Sequence, residues 1–293
     1  MSVDPAYGDH VRAHGTLSDI PEAGATDHVC WIYEDDEAFD RAVAEFIAGG
    51  LERGERLLCV GERVIESLRG VNLPAQDVAT LVAAGALETQ TLAEAYAAAG
   101  TFRPMGRLAY YEAATRRALA EGYRGLRVLA EVSALAADPA TRPELIRWEH
   151  VADDFIARNG GFTVMCAYSG KLPHEALTDI AAVHPFVHTP DGVPPFRIFF
   201  DDDRIVLAGS VDTFSADRLA HVLAATPVGA PGAVLDVSLL EFADVAGCRA
   251  LALWARGLAD RSLPVEGRGA SPLFRRMWDV LALGAVGFEK AAA

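Results

Sequence analysis

Ala233-Val-Leu-Asp-Val-Ser-Leu-Leu-Glu-Phe-Ala-Asp-Val-Ala-Gly247 reads as a strand, a turn and the head of a helix. Its first five positions, 233–237, suit a short buried strand, and Asp244 stands where an N-cap opens an amphipathic helix over 246–260. Upstream lie a helix over 215–225 and two strand runs, 196–200 and 204–208, flanking Asp201-Asp202-Asp203, a polar turn of hairpin length. Downstream come a strand over 263–268 and a helix over 272–283, with Ser271 as N-cap, Pro272 in the first turn and Gly284 past the end. The predicted order is ββαβαβα, and a hairpin followed by alternation indicates a mixed sheet.

The stretch 184–195 holds four prolines and a glycine, which disfavour helix and sheet alike, so the spacing predicts a linker over 185–195 and a second domain over 196–293. Before it, strand runs at 28–33, 56–61, 86–91, 126–132 and 162–167 alternate with helical ones. Phe39, Ala42, Val43, Phe46, Ile47, Gly50 and Leu51 form one apolar stripe that ends at Arg53-Gly54, and further helices are predicted over 107–121, 142–159 and 174–183. Such alternation predicts an α/β domain over 27–184 with a doubly wound, mostly parallel sheet covered on both faces. Residues 1–26 carry no apolar period and are expected to form a loose leader.

The chain has 293 residues, 51% of them hydrophobic, enough for two cores. A formal net charge of −15 opposes nucleic-acid binding, which needs clustered Lys and Arg. No apolar run suits a membrane span and no secretion signal opens the chain, so a cytoplasmic location is expected. Cys30, Cys59, Cys166 and Cys248 form no CxxC pair, which suits reduced, buried thiols and marks no metal site.

Three motifs give the C-terminal part its likeness: Leu207-Ala-Gly-Ser-Val-Asp-Thr213, the 233–247 run, and Gly269-Ala-Ser-Pro-Leu-Phe274. In order and spacing this part resembles the STAS family of the anti-sigma factor antagonist type. The resemblance implies a partner surface at Asp212, Thr213, Asp244, Val245, Ala246 and Gly247, with an anti-sigma factor or kinase-like protein as partner and homodimerisation as another use. Family members carry Asp-Ser-Ser-Gly where this chain has Asp244-Val245-Ala246-Gly247. Phosphoryl transfer needs a hydroxyl and Val245 has none, so no phosphorylation site is expected there. Asp244 as a plain helix cap and Asp244 as a partner contact both stand open.

The N-terminal part carries His28-Val-Cys-Trp-Ile-Tyr-Glu-Asp35, Phe46-Ile-Ala-Gly-Gly-Leu-Glu-Arg-Gly-Glu55, Leu129-Ala-Glu-Val-Ser133 and Thr163-Val-Met-Cys-Ala-Tyr168. Over about 27–190 it resembles the MEDS family of sensory domains, and its layout is similar to a RecA-type core whose P-loop has degenerated. A phosphate-binding loop after the first strand would read GxxxxGK[ST]; Tyr33-Glu-Asp-Asp-Glu-Ala38 offers four carboxylates and no lysine, which repel a triphosphate.

The carboxyl ends of parallel strands remain the expected ligand crevice, which gives Tyr33, Glu34, Glu131 and Tyr168 as candidates. His28 and Cys30 share a strand face that Cys166 could join, as ligand contacts or as core. No metal and no particular cofactor is expected from spacing. The combined expectation is a non-enzymatic signalling protein in which a ligand- or redox-sensing domain controls a STAS output. A constitutive scaffold, or an enzyme using His28, Cys30 and Glu131, is the alternative.

Overall fold

The computed structural model describes residues 11–18, 20, 27–71, 73, 77–97, 103–190 and 192–288. Up to residue 188 the elements are β1 (Gly15–Thr16), β2 (His28–Tyr33), α1 (Asp36–Arg53), β3 (Arg56–Val60), α2 (Glu62–Ser67), α3 (Val78–Ala83), β4 (Leu87–Gln90), α4 (Leu92–Ala97), α5 (Pro104–Ala120), β5 (Leu126–Glu131), α6 (Ser133–Ala137), α7 (Arg142–Arg158), β6 (Phe162–Ser169), α8 (His174–Ala181) and β7 (Phe186–His188). There follow β8 (Phe196–Asp201), β9 (Arg204–Val211), α9 (Ala216–Ala225), β10 (Ala233–Asp236), β11 (Leu240–Ala243), α10 (Val245–Ala259), β12 (Val265–Arg268), α11 (Pro272–Val280) and β13 (Val286–Phe288).

The first seven strands form one sheet in the order β1-β7-β2-β6-β5-β3-β4, every pair parallel. Alternate strand residues feed two cores, as the pleat requires. Cys30, Ile32, Val128, Val164, Cys166 and Tyr168 pack with α5, α7 and α8, whereas Val29, Trp31, Tyr33, Leu57, Leu129 and Met165 pack with α1 on the opposite face. The doubly wound architecture is thus present. Gly54 ends α1 in the left-handed region at φ 71°, donating its N–H to Gly50 O and Leu51 O.

The second sheet is mixed. β8 pairs β9 antiparallel through the Asp202-Asp203 turn, while β9, β10, β11, β12 and β13 pair in parallel. Sequence periodicity missed β11 and β13, both short and half exposed, because so few alternating positions carry little signal. No helix among the described residues is long and apolar enough to cross a membrane.

Two expectations need correction. The stretch predicted as a linker contains β7, which lies between Pro185 and Pro190 and pairs with β2 and β1. The described part of the leader, residues 11–18 and 20, is packed: β1 pairs β7, and Leu17 and Ile20 are buried in the core facing α1. His14 stacks on Phe199 at 5.1 Å and Arg12 donates to Asp153 Oδ1 at 2.6 Å, so this segment straps both domains. Isolated side chains that anchor an irregular strap leave no periodicity to read. Residues 1–10, 19 and 21–26 lie outside the described residues.

The two domains share a core. Ile146 of α7 and Ala182 and Val183 after α8 join the cluster built by Phe196, Ile198, Phe200, Leu219 and Val222. Helix α7 accordingly has two buried stripes: Leu145, Trp148, Ala152 and Ile156 face the first sheet, and Ile146, His150, Asp153 and Ala157 face the second domain.

Candidate functional site

The sequence-derived candidates divide between the two faces of the first sheet. Tyr33 and Glu131 meet at the carboxyl ends of β2 and β5, where the Tyr33 hydroxyl donates to Glu131 Oε1 at 3.2 Å. The same oxygen accepts from Ser133 N at 3.3 Å and from the Ser133 hydroxyl, and Ser133 Oγ accepts from Ser169 N at 2.8 Å. Glu131 therefore ties three strand ends together and caps the start of α6. Burial raises its carboxyl above the usual range, and burial together with the Glu131 charge pushes the Tyr33 phenol up to about 12. Glu34 is exposed. Asp35 accepts from Ala38 N at 2.8 Å, so a carboxylate occupies the helix amide that a phosphate would need.

His28, Cys30, Cys166 and Tyr168 lie on the other face, beneath α7 and α8. The structure joins His28, Cys166 and Tyr168 through Glu149, a fully buried α7 residue within the apolar stripe. His28 Nε2 is 3.1 Å and Cys166 Sγ 3.2 Å from Glu149 Oε2, while the Tyr168 hydroxyl donates to Glu149 Oε1 at 2.6 Å. His184 Nε2 lies 3.5 Å from Glu149 Oε2, and its Nδ1 meets Ile180 O at 2.9 Å. Cys30 pairs in register with Cys166 on the adjacent strand.

Electrostatics in this buried cluster are tightly linked. Burial alone would raise the Glu149 carboxyl, but the imidazoles of His184 and His28 outweigh it and hold it well below the carboxylate range. Burial would lower His28, yet the carboxylates of Asp153 and Glu149 on its two nitrogens raise it. Burial and the His28 charge lower His184. Burial and the Glu149 charge raise both thiols well above their ordinary value. A thiol in that state is a poor nucleophile, and the sheet separates His28 and Cys30 from Glu131.

The cluster continues along α7 into the second domain. Asp153, one turn beyond Glu149, lies 3.2 Å from His28 Nδ1 through Oδ1 and accepts from Phe200 N of β8 at 2.6 Å through Oδ2. His150 Nε2 is 3.2 Å from Thr226 Oγ1 at the end of α9, and burial lowers that imidazole to about 4, leaving it neutral. Arg218 of α9 donates to Asp179 of α8 at 3.0 Å.

Sequence spacing missed Glu149, His150, Asp153 and His184. The signal it held was an acidic residue inside an apolar helical stripe: Leu145, Trp148, Glu149, Ala152 and Ile156 share one face, where a lone carboxylate needs a partner. His184 gave no such signal, because the proline-rich composition around it reads as a linker.

The candidate partner residues do come together. Asp244 caps α10 by accepting from Gly247 N at 2.9 Å, and it accepts from the Thr213 hydroxyl at 2.7 Å. Those bonds, the one from Gly247 first, hold its carboxyl below the ordinary range. Gly247 is required by packing, since a Cβ there would lie 2.8 Å from Val211 Cγ1. Asp212 is engaged locally, accepting from Phe214 N, Ser215 N and the Ser215 hydroxyl. Ala246 is half-buried, while Val245, Phe214 and Phe242 are exposed, the last two 92% and 52% accessible.

Comparison with family models matches residues 27–185 to the methanogen/methylotroph, DcmR sensory domain, MEDS, and residues 196–287 to the Mlab, STAS domain. Comparison with curated proteins finds no match. Both matched domains belong to sensory and regulatory families, and the first covers more than half of the sequence. With that match on an all-parallel sheet, followed by a mixed-sheet STAS domain, the chain belongs to the MEDS family.

Proposed function

We propose that this chain is a cytoplasmic bacterial signalling protein whose MEDS domain responds to a small molecule or to redox state and whose STAS domain binds an anti-sigma factor or related kinase-like protein. Helix α7 carries the proposal: one stripe supplies Glu149 to the buried cluster, while the other supplies Ile146, His150 and Asp153 to the STAS core. A rearrangement of the cluster shifts this helix, and β8 and α9 follow because a packed core deforms little. The strand order supports descent from a RecA-type core, and the Asp35 cap argues against retained phosphate binding there.

Residues Asp212, Thr213 and 244–247 form the partner face, with Phe214, Phe242 and Val245 as its apolar contacts. Val245 lacks a hydroxyl, so control passes to the domain in front. The test is affinity capture of the host's kinase-like ATPases by the full chain and by Phe214→Asp. Retention by the wild type and loss by the variant, at equal melting temperature, is the expected result. Equal capture by both proteins, or capture by neither, contradicts the proposed face.

A further inference from the structure

We propose that His28, Glu149, Cys166 and His184 form a binding site for a divalent transition metal of the zinc class, coordinated through two imidazole Nε2 atoms, one thiolate and one carboxylate oxygen. One ligand atom from each residue lies within 4.8 Å of all the others, and all four side chains are buried. Four of the six pairs are 3.1 Å from His28 to Glu149, 3.2 Å from Cys166 to Glu149, 3.5 Å from His184 to Glu149 and 3.8 Å from Cys166 to His28, and the two between His184 and His28 or Cys166 lie within 4.8 Å. Tetrahedral zinc with ordinary bond lengths places neighbouring donors about 3.3–3.6 Å apart. The first four separations bracket that range.

His184 Nε2 supplies the independent observation. It is completely buried and has no hydrogen-bond partner, although it faces Glu149. The Nδ1 contact with Ile180 O makes Nδ1 the donor, so in the neutral ring Nε2 aims a lone pair at a carboxylate. With no proton on Nε2 the two acceptors need a cation between them, which takes the place of the proton that otherwise lets His184 lower the Glu149 carboxyl.

The surroundings match what a metal needs from its ligands' neighbours. Asp153 holds His28 Nδ1, the carboxylate–imidazole arrangement that aims the opposite nitrogen at a metal. The Tyr168 hydroxyl holds Glu149 Oε1, leaving Oε2 as the single ligating oxygen. Two nitrogens, one sulfur and one oxygen suit zinc better than magnesium or calcium. With four protein donors the site is closed, hence structural or regulatory rather than catalytic. Binding releases the Cys166 thiol proton, and any proton shared between His28 and Glu149, to solvent. This inference stands independently of the partner proposed for the STAS domain.

The test uses the full chain, refolded with zinc or cobalt(II), passed through gel filtration and assayed by elemental mass spectrometry and absorption. The expected result is about one zinc per chain, with a cobalt form showing tetrahedral visible bands and a thiolate-to-metal charge-transfer band. Cys166→Ser abolishes the charge-transfer band and His184→Ala weakens binding at least roughly tenfold, whereas Cys59→Ala, on the opposite sheet face, retains the metal. If either site variant fails to fold, the wild-type cobalt spectrum still reports the thiolate. Below about 0.1 zinc per folded chain, cobalt binding without the thiolate band, or full zinc in the Cys166→Ser, His184→Ala double variant overturns the site.

Discussion

Replacing Asp153 with alanine removes the carboxylate on which the strap, the buried cluster and the STAS sheet converge. Its side chain has no solvent exposure, and it meets Arg12 at 2.6 Å, His28 at 3.2 Å and Phe200 N at 2.6 Å. Losing the carboxylate strands a buried backbone N–H, a loss of about 1–3 kcal/mol. It also leaves charge without its partner, a loss of about 3–5 kcal/mol. These overlap, so the expected destabilisation is roughly 4 kcal/mol, lowering the melting temperature by roughly 8 °C or more. Asp153→Asn keeps an acceptor for Phe200 N but loses the charge, and falls between wild type and alanine. Differential scanning calorimetry reads both quantities: wild type unfolds in one transition, and Asp153→Ala shifts it down and splits it as the domains separate. An alanine variant within about 1 kcal/mol of wild type, unfolding in one transition, refutes this reasoning.

Glu131 gives a pH prediction. Its folded value is raised by burial above 4.5, so its favourable contribution is complete below about pH 4.5 and is lost as pH rises through the folded value. Glu131→Gln keeps the acceptor without the charge, so its melting temperature exceeds wild type by a few degrees at pH 7 and converges with it in acid; a lower value at pH 7 counts against it. The buried Glu55–Arg127 pair, 3.1 Å apart, predicts a loss of about 3–5 kcal/mol in Glu55→Ala, with much of it recovered when Arg127→Met is added, both measured by urea unfolding. At the partner face, Asp244→Asn preserves the α10 cap and stays within about 0.5 kcal/mol of wild type, while Asp244→Lys loses about 1 kcal/mol. Partner capture that falls in both variants assigns the charge a binding role; capture unchanged in both leaves Asp244 as a cap alone.

How far the sequence carries depends on whether a feature is local. Strand-helix alternation, the Gly54 stop, the Asp202-Asp203 hairpin and the Ser271-Pro272 helix start all follow from a few adjacent residues, and their structures agree. The strap and β7 escape because their order comes from partners far along the chain. Half of the candidate cluster was legible: His28 and Cys30 share a face by the period of two, and Cys166 follows once β6 neighbours β2. Its centre was not. Glu149 sits 121 positions from His28, and only the fold brings them to 3.1 Å.

Amide hydrogen exchange of the full chain, compared between wild type and Glu149→Gln, tests most directly whether α7 links the buried cluster to the STAS domain. Faster exchange in β2 and β6, and also across the junction in β8 at Phe200 and in α9, is the predicted result. Changes confined to the first sheet, with β8 and α9 exchanging as in wild type, contradict it.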